Sequence, residues 1–288
     1  MSDASSKGLF LQRAALAAAL VVLALAQAQA RDSGWITDQK GCRVWDPVPE
    51  PNESVSWSGA CVNGLASGVG MLQWSVNGKP TDRYEGEFRA GHETGHGVVV
   101  SAGGNRYEGE WKEDKKEGHG IETWANGNRY DGEWKDDRRD GHGVFTAKNG
   151  DRYDGEWRND DRNGQGIEVW VNGDRYEGQW LHGNPNGHGA LTYANGNRYE
   201  GNFKSGIGEG QGVLTTKDGA RYEGEFKNNL PNGEGSFVSA SGAHYAGKWV
   251  NGCYFHQTAR TQPDYTRGDI GTYNTERAAA GVPDSDCK

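Results

Sequence analysis

Arg106-Tyr107-Glu108-Gly109-Glu110-Trp111 is the fullest form of a hexapeptide that returns at a constant interval through the middle of this 288-residue sequence. Its tyrosine recurs every 23 residues, without insertion or deletion, at Tyr84, Tyr107, Tyr130, Tyr153, Tyr176, Tyr199, Tyr222 and Tyr245. A fixed period of this length is typical of repeat architectures in which each unit is one supersecondary element. The repeat therefore decides the fold.

Each repeat reads as a β-hairpin. Apolar and polar residues alternate through Tyr107 to Trp111, which predicts a strand with one apolar face. The polar run from Lys112 to Glu117 follows, then a second strand-like run from Gly118 to Trp124, and then the turn signal Asn126-Gly127. The fold class predicted is all-β, an elongated single-layer antiparallel meander of 23-residue hairpins.

The pattern Tyr-x-Gly-x-Trp, polar turn, Gly-x-Gly and Asn-Gly turn resembles the MORN (membrane occupation and recognition nexus) repeat over residues 84 to 249. We predict a MORN array over residues 55–253, in which a degenerate first copy, 55–82, precedes eight regular copies. The degenerate copy keeps Trp57 and Trp74 at the same internal offsets, as expected of a terminal repeat that caps a stack. The resemblance implies a scaffold or interaction module. Such modules sometimes self-associate, so a homo-oligomer is possible. Binding of membrane phospholipid is the alternative function.

The N-terminal residues 1–30 are predicted to be a signal peptide. Lys7 and Arg13 accompany an apolar run from Ala14 to Ala26, which ends in the cleavage signal Ala28-Gln29-Ala30. That run is shorter than the ~20 residues that span a bilayer, which favours a cleaved signal over a membrane anchor. We therefore expect an exported protein, periplasmic or secreted after cleavage near Ala30.

The flanks of the array are predicted to be caps. Residues 31–54 contain three prolines between Pro47 and Pro51, which favour an extended strap along the first edge. Residues 254–288 lose the period and are predicted to form an irregular C-terminal cap. The four cysteines lie in two pairs outside the regular repeats, and in an oxidising compartment their proximity favours the disulfides Cys42–Cys61 and Cys253–Cys287.

Charge and motifs argue against several functional classes. The formal net charge is −9 and no Lys/Arg cluster occurs, which disfavours nucleic acid and anionic membrane surfaces as partners. Carboxylate pairs such as Glu108 and Glu110 recur in most repeats, so they are interpreted as a solvated ladder paired with residues like Arg106 rather than as an acid–base pair. Histidines such as His119 are interpreted as polar strand positions, because equivalent residues are two strands apart. We predict no enzyme, no cofactor and no metal.

The aromatic face is the remaining candidate site. In a single-layer sheet its rings either form the core, packing on one another across strands, or line a partly exposed groove for an extended chain or helix of a partner. Both readings are compatible. We predict partner binding through Tyr107, Trp111, Tyr130, Trp134, Tyr153, Trp157, Tyr176 and Trp180. The partner expected is a protein of the cell envelope or extracellular space, and the alternatives are a phospholipid membrane or an envelope carbohydrate polymer.

Overall fold

The computed structural model describes residues 34–255, which form 21 strands and no helix. The chain divides into two compact units, whose described parts are residues 34–116 and 117–255. The predicted all-β fold of hairpin repeats is confirmed. No helix in the described range is long and apolar enough to cross a membrane.

The first unit contains the N-terminal strands and the first repeats. Its strands are β1 (Trp35–Thr37), β2 (Arg43–Trp45), β3 (Glu53–Trp57), β4 (Ala60–Val62), β5 (Leu65–Val76), β6 (Lys79–Arg89), β7 (His92–Val100) and β8 (Arg106–Lys112), and β9 (Lys115–Thr123) begins at its end.

The long strand β5 organises the start of the first unit. One edge of β5 pairs with β4 and then β3, in the registers Cys61↔Ala66 and Trp57↔Leu72, and the other edge pairs with β6. Strands β6, β7 and β8 continue as an antiparallel meander. Trp57 leaves no room for a Cβ on Gly59 or Gly70, so it stands where the regular repeats have tyrosine.

The N-terminal cap is fastened to β5 in two ways. Strand β2 pairs antiparallel with β1 and contacts β5 in parallel through Arg43↔Leu65. A disulfide joins Cys42 to Cys61, with a Cα–Cα distance of 5.7 Å, so this predicted pairing is confirmed. The second predicted pairing involves Cys287, which lies outside the described residues, as does the predicted signal peptide.

The second unit continues the meander from β9. Its strands are β10 (Arg129–Lys135), β11 (Arg138–Thr146), β12 (Arg152–Arg158), β13 (Asp161–Val169), β14 (Arg175–Leu181), β15 (Asn184–Thr192), β16 (Arg198–Lys204), β17 (Ile207–Thr215), β18 (Arg221–Lys227), β19 (Leu230–Val238), β20 (His244–Val250) and β21 (Cys253–Phe255). From β9 to β21 each strand pairs antiparallel with the next.

The tight hairpin turns are shorter than the sequence predicted. The polar run Lys112 to Glu117 was expected to connect the strands, yet β8 ends at Lys112 and β9 already begins at Lys115. In the next copy both turn residues, Asp136 and Asp137, have positive φ, at 47° and 67°. Two positive φ angles in a two-residue loop match the twist of the flanking strands, and aspartate tolerates that conformation better than most residues.

Candidate functional site

The repeat tyrosines lie at the centre of the sheet's aromatic face. The ring of Tyr130 rests on Gly132 and on Gly143 of the neighbouring strand, and at both glycines an added Cβ would collide with the ring or its hydroxyl. Burial raises the pKa of the Tyr130 hydroxyl, which donates a hydrogen bond of 3.0 Å to the carbonyl oxygen of Glu133. The glycines are therefore required because the ring lies flat against the backbone.

Each tryptophan, or the phenylalanine that replaces it, joins one repeat to the one before. The ring of Trp157 meets Tyr130 and Tyr153 edge-on, at centroid distances of 5.4 and 5.2 Å. Its indole Nε1–H donates to the carbonyl oxygen of Gly143 at 3.0 Å. The ring contacts recur along the second unit as far as Tyr222 and Trp249, whose rings are 5.1 Å apart, although Phe203 and Phe226 cannot donate the hydrogen bond. The result is a continuous stack of edge-to-face pairs, a favourable geometry for aromatic rings.

The expectation of an exposed aromatic groove is wrong. The eight rings predicted to bind a partner are at most 8% exposed: Tyr107, Trp111, Tyr130, Trp134, Tyr153, Trp157, Tyr176 and Trp180. They form the core of the sheet. A direct binding role for them stays a prediction, and it now requires that the side chains above them move.

In three consecutive repeats a long cationic side chain, nine residues after the tyrosine, covers the rings. Arg139 places its guanidinium 4.2 Å from the ring centroid of Trp157, and Arg162 lies 5.0 Å from Tyr153 and 5.3 Å from Trp180. In the first unit Lys116 lies 4.7 Å from Tyr107. Long cationic side chains cover apolar area with their stems while their charge contacts the ring faces. In these three repeats the cation replaces part of the cover that a second sheet would give.

Apolar side chains of the second unit surround this cover on the aromatic face. Phe145, Leu191 and Leu214 stand directly opposite tyrosines in the ladder and are half-buried. Trp124 and Trp170 are half-buried and Tyr193 is exposed, each directly after a second hairpin strand. We call these six residues the outer row. These residues were not predicted to be functional, although the apolar residue fifteen or seventeen positions after a tyrosine is visible in the sequence.

The opposite face carries the predicted ion-pair ladder. In the regular repeats of the second unit the arginine before the tyrosine contacts the carboxylate after it, at 2.6 to 2.8 Å in the pairs Arg129–Asp131, Arg152–Asp154, Arg175–Glu177 and Arg221–Glu223. The interpretation of the carboxylates as a solvated ladder is confirmed. Exposed pairs of this kind contribute about 0–1 kcal/mol each.

The histidines of the Gly-His-Gly segments join the same ladder. His119 Nε2 lies 2.9 Å from Asp131, and His142 Nε2 lies 3.2 Å from Asp154. Between residues 34 and 255 no three metal-ligating side chains are grouped closely enough to hold a metal ion.

The MORN repeat family model matches seven consecutive segments, namely 84–106, 107–129, 130–152, 153–175, 176–198, 199–221 and 222–244. Together they cover more than half of the 288 residues. The chain is a MORN repeat protein. The eighth predicted copy, which begins at Tyr245, lies beyond the matched segments, yet its Trp249 is buried and donates to the carbonyl oxygen of Gly235 at 3.2 Å, as in the regular copies.

Solved structures resemble the MORN protein only distantly. The SAS-4 (dCPAP) TCP domain of Drosophila melanogaster, solved with a proline-rich motif of Ana2 (dSTIL), is 12% identical, covers 53% of this chain and 83% of its own, and has a TM-score of 0.34. A streptogramin B lyase is 13% identical over 71% of this chain and 76% of its own, with a TM-score of 0.16. Virginiamycin B lyase from Staphylococcus aureus is 12% identical over 78% of this chain and 67% of its own, with a TM-score of 0.15. Scores this low carry no argument. Among curated proteins none matches the chain.

The two faces of the MORN array differ in what they can contact. The ladder face repeats the same exposed ion pairs, whose charges largely satisfy one another. The aromatic face presents the apolar outer row together with cations held over rings. Aromatic and arginine side chains are the types enriched in protein interfaces, so the aromatic face is better suited to recognition.

Proposed function

We propose that this MORN repeat protein is a non-catalytic scaffold that binds a protein partner along the aromatic face of its second unit. The observation that carries the proposal is the outer row, an apolar strip on a sheet whose own rings are already buried. MORN repeats suggest an interaction or scaffold module, which supports the same conclusion. A long apolar strip on a rigid support is typical of an interaction site.

The spacing of the outer row favours a helical partner segment. Successive repeats are two strands apart, about 9.5 Å at 4.7–4.9 Å per strand. In an α-helix, residues seven positions apart lie on nearly the same face and are separated by about 10.5 Å. A helix with apolar side chains at heptad spacing therefore places about one side chain on each repeat.

The test is affinity capture from a cell-envelope extract with two folded variants. Phe145→Lys with Leu191→Lys introduces two charges into the outer row. Lys135→Glu with Arg158→Glu is the control, because both residues are exposed and lie on the ladder face. We expect the first pair to lose the partner and the second to keep it, with circular dichroism confirming that both fold. Capture retained by the first pair and lost by the second would place the site on the ladder face instead.

Two assays separate the protein partner from the alternatives. Co-sedimentation with anionic liposomes measures lipid binding, and a pull-down with envelope glycans measures carbohydrate binding. Loss of liposome or glycan binding in the outer-row variant, without any captured protein, would overturn the proposal in favour of that ligand.

We further propose that the protein is exported and that mature chains begin near Arg31, after cleavage near Ala30. The Cys42–Cys61 disulfide supports this, because disulfides persist mainly in oxidising compartments. N-terminal sequencing of protein from the envelope fraction decides the question. A chain that retains Met1 and fractionates with integral membrane proteins would favour an uncleaved anchor.

A further inference from the structure

A pocket of about 620 Å³ lies in the first unit, on the aromatic face, between the sheet and the proline-rich segment that joins β2 to β3. Trp45, the last residue of β2, and Pro47 line it on one side, whereas Trp74, Val76 and Val99 line it from the sheet. Trp45 is held by its edge-on contact with Trp35, at a ring distance of 5.4 Å. The size is within the range of small-molecule sites, about 300–1,000 Å³.

The charge of the pocket has one sign. Six of its lining residues are carboxylates and none is lysine, arginine or histidine; the six are Asp46, Glu50, Glu53, Asp82, Glu93 and Asp114. The neighbouring His92 places its Nδ1 2.5 Å from Oδ2 of Asp114, the last of the six in sequence. The pocket therefore carries a concentrated negative potential beside aromatic walls.

Backbone hydrogen bonds hold several of these carboxylates in place. Asp46 accepts from the amide of Val48 at 2.8 Å, and Asp82 accepts from the amide of Ala102 at 2.9 Å. Glu53 accepts from the amide of Glu50 at 2.8 Å. These carboxylates come from the segment and from β3 and β6, so they stand on different walls.

Crowding of these groups has an energetic consequence. Burial raises the pKa of Glu53, and the nearby negative charges of Asp46 and Glu50 raise it further. A cation in the pocket would relieve this repulsion, because an opposite charge favours the ionised carboxylate.

We propose that this pocket binds an aliphatic polyamine. Carboxylates on separate walls suit a ligand whose positive charges are separated along a chain better than a single point charge. Trp45 and Trp74 line the pocket, and indole rings attract ammonium groups, while Val76 and Val99 offer apolar surface to the methylenes between them. The site lies in the first unit and is independent of the proposed partner surface, so either proposal can fail alone.

The experiment is calorimetric titration of the folded chain with spermidine at physiological ionic strength, where non-specific attraction is screened. Octane-1,8-diol serves as an uncharged probe of similar shape. We expect saturable binding of one spermidine and none of the diol. Absence of binding to the folded protein would overturn the proposal.

Two matched variants locate the site. Glu53→Gln with Asp82→Asn removes two pocket charges and keeps both hydrogen-bond acceptors, whereas Glu177→Gln with Glu209→Gln removes two exposed charges from the second unit. Lost charge-assisted contacts should weaken spermidine about tenfold or more in the pocket variant, with little change in the control. Trp74→Leu tests the aromatic wall and should also weaken binding.

Two outcomes would overturn this assignment. Equal weakening by both charge pairs would mean non-specific attraction to an acidic protein. Binding of a lysine-rich peptide that the pocket variant abolishes, without binding of free spermidine, would mean that the pocket receives a side chain of a partner protein.

Discussion

The guanidinium of Arg162 contacts the buried carboxylate of Glu168, with Nη1 2.6 Å from Oε2, directly above the rings of Tyr153 and Trp180. The Glu168 side chain is 7% exposed. Burial raises the pKa of Glu168 and the charge of Arg162 opposes that rise. This ion pair is therefore part of the core's cover, unlike the exposed pairs of the ladder face.

Removing only the cation of this pair should destabilise the second unit. Arg162→Leu leaves Glu168 buried without its counter-charge, which costs about 3 kcal/mol when one partner of a buried pair is lost. The double variant Arg162→Leu with Glu168→Leu should recover most of that loss, because apolar residues replace both charges. Urea denaturation at neutral pH measures the free energy of unfolding of both variants and of the natural chain.

The pH dependence of the single variant has a defined sign. A carboxyl whose folded pKa is raised binds more protons in the folded state, so stability falls as pH rises from the unfolded pKa through the folded pKa. The loss of unfolding free energy caused by Arg162→Leu should therefore be smaller in mild acid, where Glu168 takes up a proton. A deficit that is equal in the single and double variants would contradict this explanation.

A methyl group beneath a repeat tyrosine should destabilise the array. In Gly212→Ala the new Cβ would lie 2.7 Å from Cε2 and from the hydroxyl of Tyr199, whose ring is buried. Overpacking of this kind costs about 1–3 kcal/mol. Gly103→Ala is the control, because its Cβ would meet only Ser101 Oγ, at 3.8 Å. Thermal unfolding should show a loss for the first variant and nearly none for the second.

Local sequence chemistry predicted the repeat well and its surface poorly. The 23-residue period, the strand alternation at Tyr107 and the ladder of Arg129 with Asp131 follow from residue type and spacing alone. The burial of Trp157 does not, because it depends on where Arg139 of another strand places a long side chain. A polar turn was predicted in each repeat, but the two-residue length of the turn at Asp136-Asp137 was not, since neither residue is glycine. The pocket was missed because the segment around Pro47 has no period and its contacts are all distant in sequence.

Several adjacent repeats are joined by an aspartate or asparagine side chain two positions before the tyrosine. Asp151 Oδ1 accepts from the amide of Val171 at 2.8 Å, and Asn128 Oδ1 makes the same contact with the amide of Lys148 at 3.0 Å. The hydrogen bond from Val171 holds the pKa of Asp151 below its usual value. Only the aspartate version of this contact can titrate.

The contact of Asp151 should therefore weaken in acid. A carboxyl with a lowered folded pKa contributes stability above its unfolded pKa, and that contribution is lost as pH falls through the folded pKa. Hydrogen exchange of the Val171 amide, expressed relative to Lys148 in the same sample, should accelerate below the ordinary pKa of aspartate. Asp151→Asn should remove the pH dependence of this ratio. If this ratio did not change with pH in the natural chain, the hydrogen bond from Val171 to Asp151 would contribute nothing to the protection of the Val171 amide.

The disulfide should stabilise the first unit and leave distant repeats unaffected. Cys42 and Cys61 are 19 residues apart, and closing a loop of this size stabilises a protein by about 3 kcal/mol, mainly by restricting the unfolded chain. In a repeat array each repeat contacts only its neighbouring repeats. The loss of stability in Cys42→Ser with Cys61→Ser should therefore stay local. Hydrogen exchange should rise in β2 to β4 and stay constant in β18 to β20. Replacing these two cysteines, rather than adding a reductant, leaves Cys253 and Cys287 untouched. Equal loosening at both ends would show that the array unfolds as one cooperative body.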